Sequence, residues 1–166
     1  TGNEGQLRAY RAYLESIPYF QNISDIDTKS TPVKRHEFEK MIVKYREEIV
    51  TLGVKVTADE VQKYHKPISA EELKSIIDEG RLDDYLILDM RNDYEYRLGH
   101  FKGAIPAGTT NFREVPGLLA RYKEAAKNKK IIWYCTGGIR CEKAAVIMNK
   151  AGIEEVYSLD GGVVKY

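Results

Sequence analysis

The string Cys135-Thr136-Gly137-Gly138-Ile139-Arg140-Cys141 holds both cysteines of the chain, and its first residue is placed to act as a nucleophile. Lys129 to Tyr134, just before it, is a short apolar run rich in β-branched and aromatic residues, which predicts a buried strand. After it, Glu142 to Lys150 places Ala144, Ala145, Ile147 and Met148 at helical spacing before Gly152. A turn from strand to helix leaves its amides unpaired, and the positive end of the helix dipole lies beneath them. Gly137 and Gly138 are expected to let the backbone curl through positive φ, so that successive N–H groups converge on one point. A thiolate at Cys135 would be stabilised there, with a pKa below the free-thiol value of about 8.5. Arg140 would close the loop with a fixed fork of donors.

Other side chains could support that chemistry. Cys141 is expected to begin the helix, either as a small buried residue or as a resolving thiol. Asp89 ends the apolar run Tyr85 to Asp89, where a carboxylate satisfies loop amides or pairs with an arginine. Arg91 and Glu95 lie four residues apart and would form an ion pair on a short helix. All three read first as structural support, with Arg91 as the one that could also face the pocket. His36 and His65 have no partners at metal-ligand spacing, so no metal is expected.

Three strings together resemble a rhodanese homology domain. They are Cys135 to Arg140 after its strand, Leu86 to Ile105 upstream (with Asp89-Met90-Arg91 and Gly99-His100-Phe101-Lys102-Gly103), and Leu159-Asp160-Gly161-Gly162-Val163 downstream. In that family a loop of the length Cys135 to Arg140 belongs to sulfurtransferases, whereas phosphatases of the same fold usually carry one residue more. The resemblance gives Asp89 a scaffolding part, makes His100 a packing residue in a turn, and puts Phe112 and Arg113 at the border of the active face. The longer string Cys135 to Lys143, with Glu48-Ile49-Val50-Thr51-Leu52-Gly53, resembles a narrower group: bacterial tRNA uridine hydroxylases that form 5-hydroxyuridine at the wobble position. This resemblance implies tRNA as partner, molecular oxygen as co-substrate with no cofactor motif in view, and an essential Cys135 whose pocket is shaped by Thr136, Gly137, Gly138, Ile139, Arg140 and Cys141. Two alternatives stay open: a sulfurtransferase carrying a persulfide on Cys135, and a non-catalytic rhodanese module used for binding.

The remaining chain must position that loop. Ser69 with Glu72 forms a capping-box pattern for a helix running through Ile76 and Ile77 toward Gly80, and strands then alternate with helices, which implies a parallel α/β sheet. The loop then falls at the carboxyl end of a central strand. Leu7, Tyr10, Tyr13, Leu14 and Ile17 predict a helix within residues 1–20 with most of that stripe in a core. Gln21 to Val33 reads as an edge strand or loop, and Met41, Val43 and Tyr45 alternate as in a strand, although Phe38 to Ile49 also fits a helix. The expected division is a partial ferredoxin-like α+β domain over 1–56, a linker over 57–68 and a rhodanese domain over 69–166. By resemblance, family members begin earlier with another strand and continue into a cysteine-rich tail, so a chain truncated at both ends is expected.

Composition sets outer limits. Apolar residues at 43% and charged residues at 31% describe an ordinary globular protein, and no apolar run reaches membrane-spanning length. With no signal peptide in view, a cytoplasmic location is expected. Residues 1–66 carry 11 basic and 10 acidic side chains of the 26 and 25 in the chain, so neither part has the basic surplus that would announce nucleic acid. The tRNA expectation therefore rests on resemblance. Oligomeric state is left open.

Overall fold

A computed structural model of the chain describes residues 2–21, 32–35, 38, 40 and 42–166. These form two units, residues 1–46 and 47–166. The first contains helix α1 (Glu4–Ser16), opened by a capping box in which the Asn3 side chain accepts from the Gln6 amide and the Gln6 side chain accepts from the Asn3 amide. The helix forms, but the expected burial of its stripe does not: Tyr13 is 62% exposed, and no described residue of this unit is buried. An amphipathic helix buries its stripe only against another element. No strand is found over the described residues 42–46, where Val43 is 83% exposed, because a β pattern is realised only with a neighbouring strand to pair with. Nor is there a helix over the described part of 38–49. Residues 22–31 of the expected edge strand or loop, together with His36 and Met41, lie outside the described residues. The ferredoxin-like expectation for this part rests on resemblance alone.

The second unit contains helix α2 (Ala58–Tyr64), strand β1 (Pro67–Ile68), α3 (Ala70–Asp78), β2 (Tyr85–Asp89), α4 (Asp93–Leu98), β3 (Ile105–Pro106), α5 (Leu119–Ala126), β4 (Lys130–Tyr134), α6 (Ile139–Lys150), β5 (Val156–Leu159) and α7 (Gly162–Lys165). The five strands lie in the order β1-β5-β4-β2-β3 and all pair in parallel, with Asp89 in register with Tyr134. This is the rhodanese-like α/β arrangement of a parallel sheet with flanking helices. Side chains alternate between its faces. Ile131 and Trp133 of β4 join a core with Tyr122 of α5 and Ala144 and Met148 of α6, while Ile132 and Tyr134 meet Leu73 and Ile76 of α3. Ser69 caps α3 as its sequence pattern predicts, accepting from the Glu72 amide at 3.1 Å.

Residues 57–68 are not a linker, since they supply α2 and the edge strand β1. The capping box of Thr57 and Glu60 that starts α2 is the local signal for it. The second unit also begins earlier than the expected boundary: Leu52 is 1% exposed and packs into the core beneath α6, and Lys143 Nζ donates to Val50 O at 2.9 Å. Leu52→Ala is therefore expected to lower the stability of the second unit by about 2–3 kcal/mol. A denaturant curve for the second unit that matches the parent chain would show that residues 47–56 do not belong to this core.

Candidate active site

The strand order sets the site. The connection after β2 leads toward β3 on one side, and the connection after β4 leads toward β5 on the other, so the carboxyl ends of these adjacent strands flank a crevice where the sheet reverses direction. Arg91 to Glu95 lies on one wall of the crevice and Cys135 to Arg140 on the other.

The loop is held from below by the downstream glycine motif. The Val163 amide donates to Cys135 O at 2.9 Å and that of Val164 to Thr136 O at 3.2 Å. Gly162 sits at φ +65°, and a Cβ on it would lie 2.5 Å from both of those carbonyl oxygens, so only glycine allows this approach. Within the loop only Gly138 takes positive φ, at 91°; Gly137, expected to do the same, does not. That one residue suffices, because Gly138 is the cap of α6 and its amide donates to Cys135 Sγ at 3.1 Å. Helix α6 starts at Ile139 rather than near Cys141 or Glu142, so Arg140 and Cys141 lie in its first turn, where amides are free to face an anion.

Cys135 is 2% exposed, with Thr136 and Gly137 exposed beside it. Its thiol is lowered to about 5. A hydrogen bond from the Cys141 thiol is the leading cause, burial opposes it, and the Arg140 amide, the Arg140 charge and the Cys141 amide add to the lowering. Cys141 itself is fully buried, and burial raises its pKa well above the ordinary value.

Two expected pairings are rearranged. Arg91 does not pair with Glu95. It precedes α4, so helical spacing does not apply, and its guanidinium instead binds Asp89 (Nη2 to Oδ2 2.6 Å, Nε to Oδ1 2.9 Å) and the Gly99 carbonyl. Asp89, at 0% exposure, also accepts from the Arg91 amide and from the Tyr134 hydroxyl at 2.7 Å. It is a buried scaffold between β2 and β4, and Arg91 belongs to that scaffold rather than to a pocket. Glu95 crosses the crevice: its carboxylate takes both Nη1 (2.7 Å) and Nη2 (2.8 Å) of Arg140, and Thr136 Oγ1 donates to it at 2.7 Å. Arg140 thus spends its fork on Glu95 instead of leaving it open toward the loop. Sequence spacing did not reveal this pair, because only the strand order brings the two residues together.

The Arg140 hydrogen bonds lower the Glu95 carboxylate to about 2, with Thr136 and the Asn92 amide helping and burial opposing. A depressed carboxylate pKa stabilises the fold fully above the unfolded value near 4.5 and loses that contribution as pH falls through about 2. Glu95→Gln is therefore expected to cost roughly 1–2 kcal/mol at pH 7, after allowing for solvent screening, and to flatten the stability curve between pH 4.5 and 2. Parallel acid-unfolding curves for parent and variant would contradict the bridge.

The remaining expected residues lie outside this centre. His100 stacks on Tyr96, with ring centroids 3.8 Å apart, and its Nδ1 meets Tyr96 O, so it packs in a turn. Phe112 is buried in the core and does not face the active loop, while Arg113 is exposed. Among the described residues no cluster of three or more His, Cys, Asp or Glu could hold a metal. A cavity of about 810 Å³ opens between residues 47–61 and the start of α6, lined there by Ile139, Glu142 and Lys143, and so shares Ile139 with the loop.

Residues 69–166 match the Rhodanese-like domain family. The chain is 38% identical over 166 residues to a tRNA uridine(34) hydroxylase of Staphylococcus carnosus (strain TM300), covering 100% of this chain and 50% of that protein. It is 40% identical over 169 residues to a protein of the same description from Acinetobacter baumannii (strain AYE), covering 99% and 52%. The chain thus spans about half the length of the curated relatives it matches. Among solved structures, a protein from Rhodopseudomonas palustris CGA009, described as of unknown function and a possible tyrosine phosphatase, matches with a TM-score of 0.51 at 24% identity. The match covers 63% of this chain and 80% of that one, a likeness of fold alone.

Proposed function

The chain belongs to the rhodanese-like domain family, and from that membership we propose that it carries the thiol centre of a tRNA-modifying enzyme that hydroxylates the wobble uridine, with Cys135 as nucleophile. The observation that carries this reading over sulfur transfer is the Glu95 to Arg140 bridge. A loop built for thiosulfate or another anionic donor needs an uncommitted cation at its mouth. Here the guanidinium charge is already matched by a carboxylate, so the surroundings of Cys135 suit a neutral electrophile such as a uracil ring. The relatives described as tRNA uridine(34) hydroxylases support the same substrate.

In this reading the Cys135 thiolate adds to carbon six of the uracil and moves electron density onto carbon five. Oxygen then enters at carbon five from molecular oxygen, whose second atom leaves as water with two electrons and two protons from a reductant. Loss of the carbon-five proton expels the thiolate and restores the double bond. The loop amides hold the sulfur as an anion before attack and after release. At 2% exposure Cys135 is reached past Thr136 and Gly137, and no heavy atom lies within 4 Å of a Cβ position on Gly137, which leaves that edge room to yield. The work of tRNA modification assigns the protein to the cytoplasm.

The test compares nucleoside digests of tRNA from cells with and without the gene encoding this chain. Loss of 5-hydroxyuridine-derived species in the deletion strain is expected. Unchanged levels would discard the reading, and altered thiolated nucleosides in their place would favour a persulfide on Cys135. That second reading draws on the low thiol pKa and the converging amides, which would cradle a terminal sulfur equally well.

A further inference from the structure

We propose that Cys141 is a positioning residue: from the third position of α6 its thiol donates a hydrogen bond to Cys135 Sγ and holds that sulfur as a thiolate inside the loop. Two donors then converge on one atom. The Gly138 amide reaches Sγ at 3.1 Å from the helix cap, and the Cys141 thiol reaches it from one turn further along. The position is fully buried, against Ala144, Ala145 and Met148 in the same core, so an alanine would satisfy the packing there but not the donation. Burial also decides which way the hydrogen bond runs. Ionising Cys141 would leave a charge among hydrocarbon, so it keeps its proton and donates. The same argument sets aside the resolving-thiol role, which requires Cys141 to become the attacking thiolate.

The charged groups around the pair come from three elements. Arg140 of α6 favours the Cys135 thiolate, Asp89 of β2 acts on Cys141 against ionisation, and Glu95 of α4 reaches the pair through its bridge to Arg140. None of these is a second hydrogen-bond donor from a neutral side chain, and that is the part Cys141 fills.

The inference rests on reading Cys135 as a reactive thiolate and not on the identity of the substrate. It is tested by the pH profile of Cys135 alkylation with iodoacetamide, followed on the Cys135 peptide by mass spectrometry, in the parent chain and in Cys141→Ser, Cys141→Ala and Cys141→Val. Serine keeps a donor and is expected to leave the midpoint within a few tenths of a unit. Alanine and valine remove the donor and are expected to move the midpoint upward, with the rate at pH 6 falling about tenfold for each unit moved. Superimposable profiles for parent, Ala and Val would overturn the proposal, as would a serine variant that shifts as far as alanine. Valine restores the lost volume if the alanine variant fails to fold. The parent alone offers a further check: the Cys141 S–H infrared band should lie at the lowered frequency of a hydrogen-bonded thiol and move when Cys135 is alkylated. A band that ignores alkylation would also overturn the proposal. A negative tRNA assay leaves these readouts intact, and a positive one does not rescue them.

Discussion

Cells whose gene encodes Cys135→Ser are expected to lose 5-hydroxyuridine-derived nucleosides from tRNA as completely as a deletion strain, a fall of at least about 10³-fold in the modifying activity. The reason lies in what the loop can and cannot ionise. Its amides and the Arg140 charge bring a thiol down to about 5, so that Cys135 is anionic at neutral pH. A serine hydroxyl starts many units higher, and no neighbour here could act as its base: Glu95 is committed to Arg140, and His100 faces Tyr96. The variant should fold as the parent does, because oxygen for sulfur leaves the Val163 and Gly138 backbone contacts of the loop available. Retained modification in a folded Cys135→Ser protein would remove Cys135 from the chemistry.

The second large effect is on stability. Asp89→Ala is expected to destabilise the second unit by about 3–5 kcal/mol, seen as a lower urea midpoint at unchanged slope. Arg91 keeps 10% of its side-chain surface exposed and donates to Asp89 through two nitrogens, so removing the carboxylate strands a nearly buried charge. The Tyr134 hydroxyl loses its acceptor at the same time, still receiving only the Phe101 amide. Asp89→Asn separates the two contributions, since it keeps an acceptor but removes the charge. A loss below about 1 kcal/mol for Asp89→Ala would show that Asp89 does not hold these strand ends together.

What the sequence revealed of this architecture depended on how local the cause was. The strands Tyr85–Asp89 and Lys130–Tyr134 were legible because both are buried on two faces and so read as continuous apolar runs. Ser69 and Glu72 announced α3 because a capping box involves only four consecutive residues. The loop from Cys135 to Arg140 was legible from its own composition, and the glycine motif at 161–162 from the resemblance, although its physical purpose, close approach to the Cys135 and Thr136 carbonyls, needed coordinates. Partners joined only by strand order were not legible. Glu95 meets Arg140 across the crevice between β2 and β4, whereas along the sequence it stands nearer to Arg91 and invites the wrong pairing. Leu52 was missed for a similar reason: its run reads as the end of the first unit, but its side chain is spent on the core of the second. In residues 1–46 the helical pattern of α1 was legible, while burial of its stripe depends on a partner element that the pattern does not contain.

All of these contacts matter to function through the charge state of one sulfur, and the most direct test is the alkylation rate of Cys135 in the 166-residue chain as a function of pH. A half-maximal rate near pH 5 is predicted, whereas a midpoint at or above the free-thiol value of about 8.5 would contradict a thiolate held by the loop.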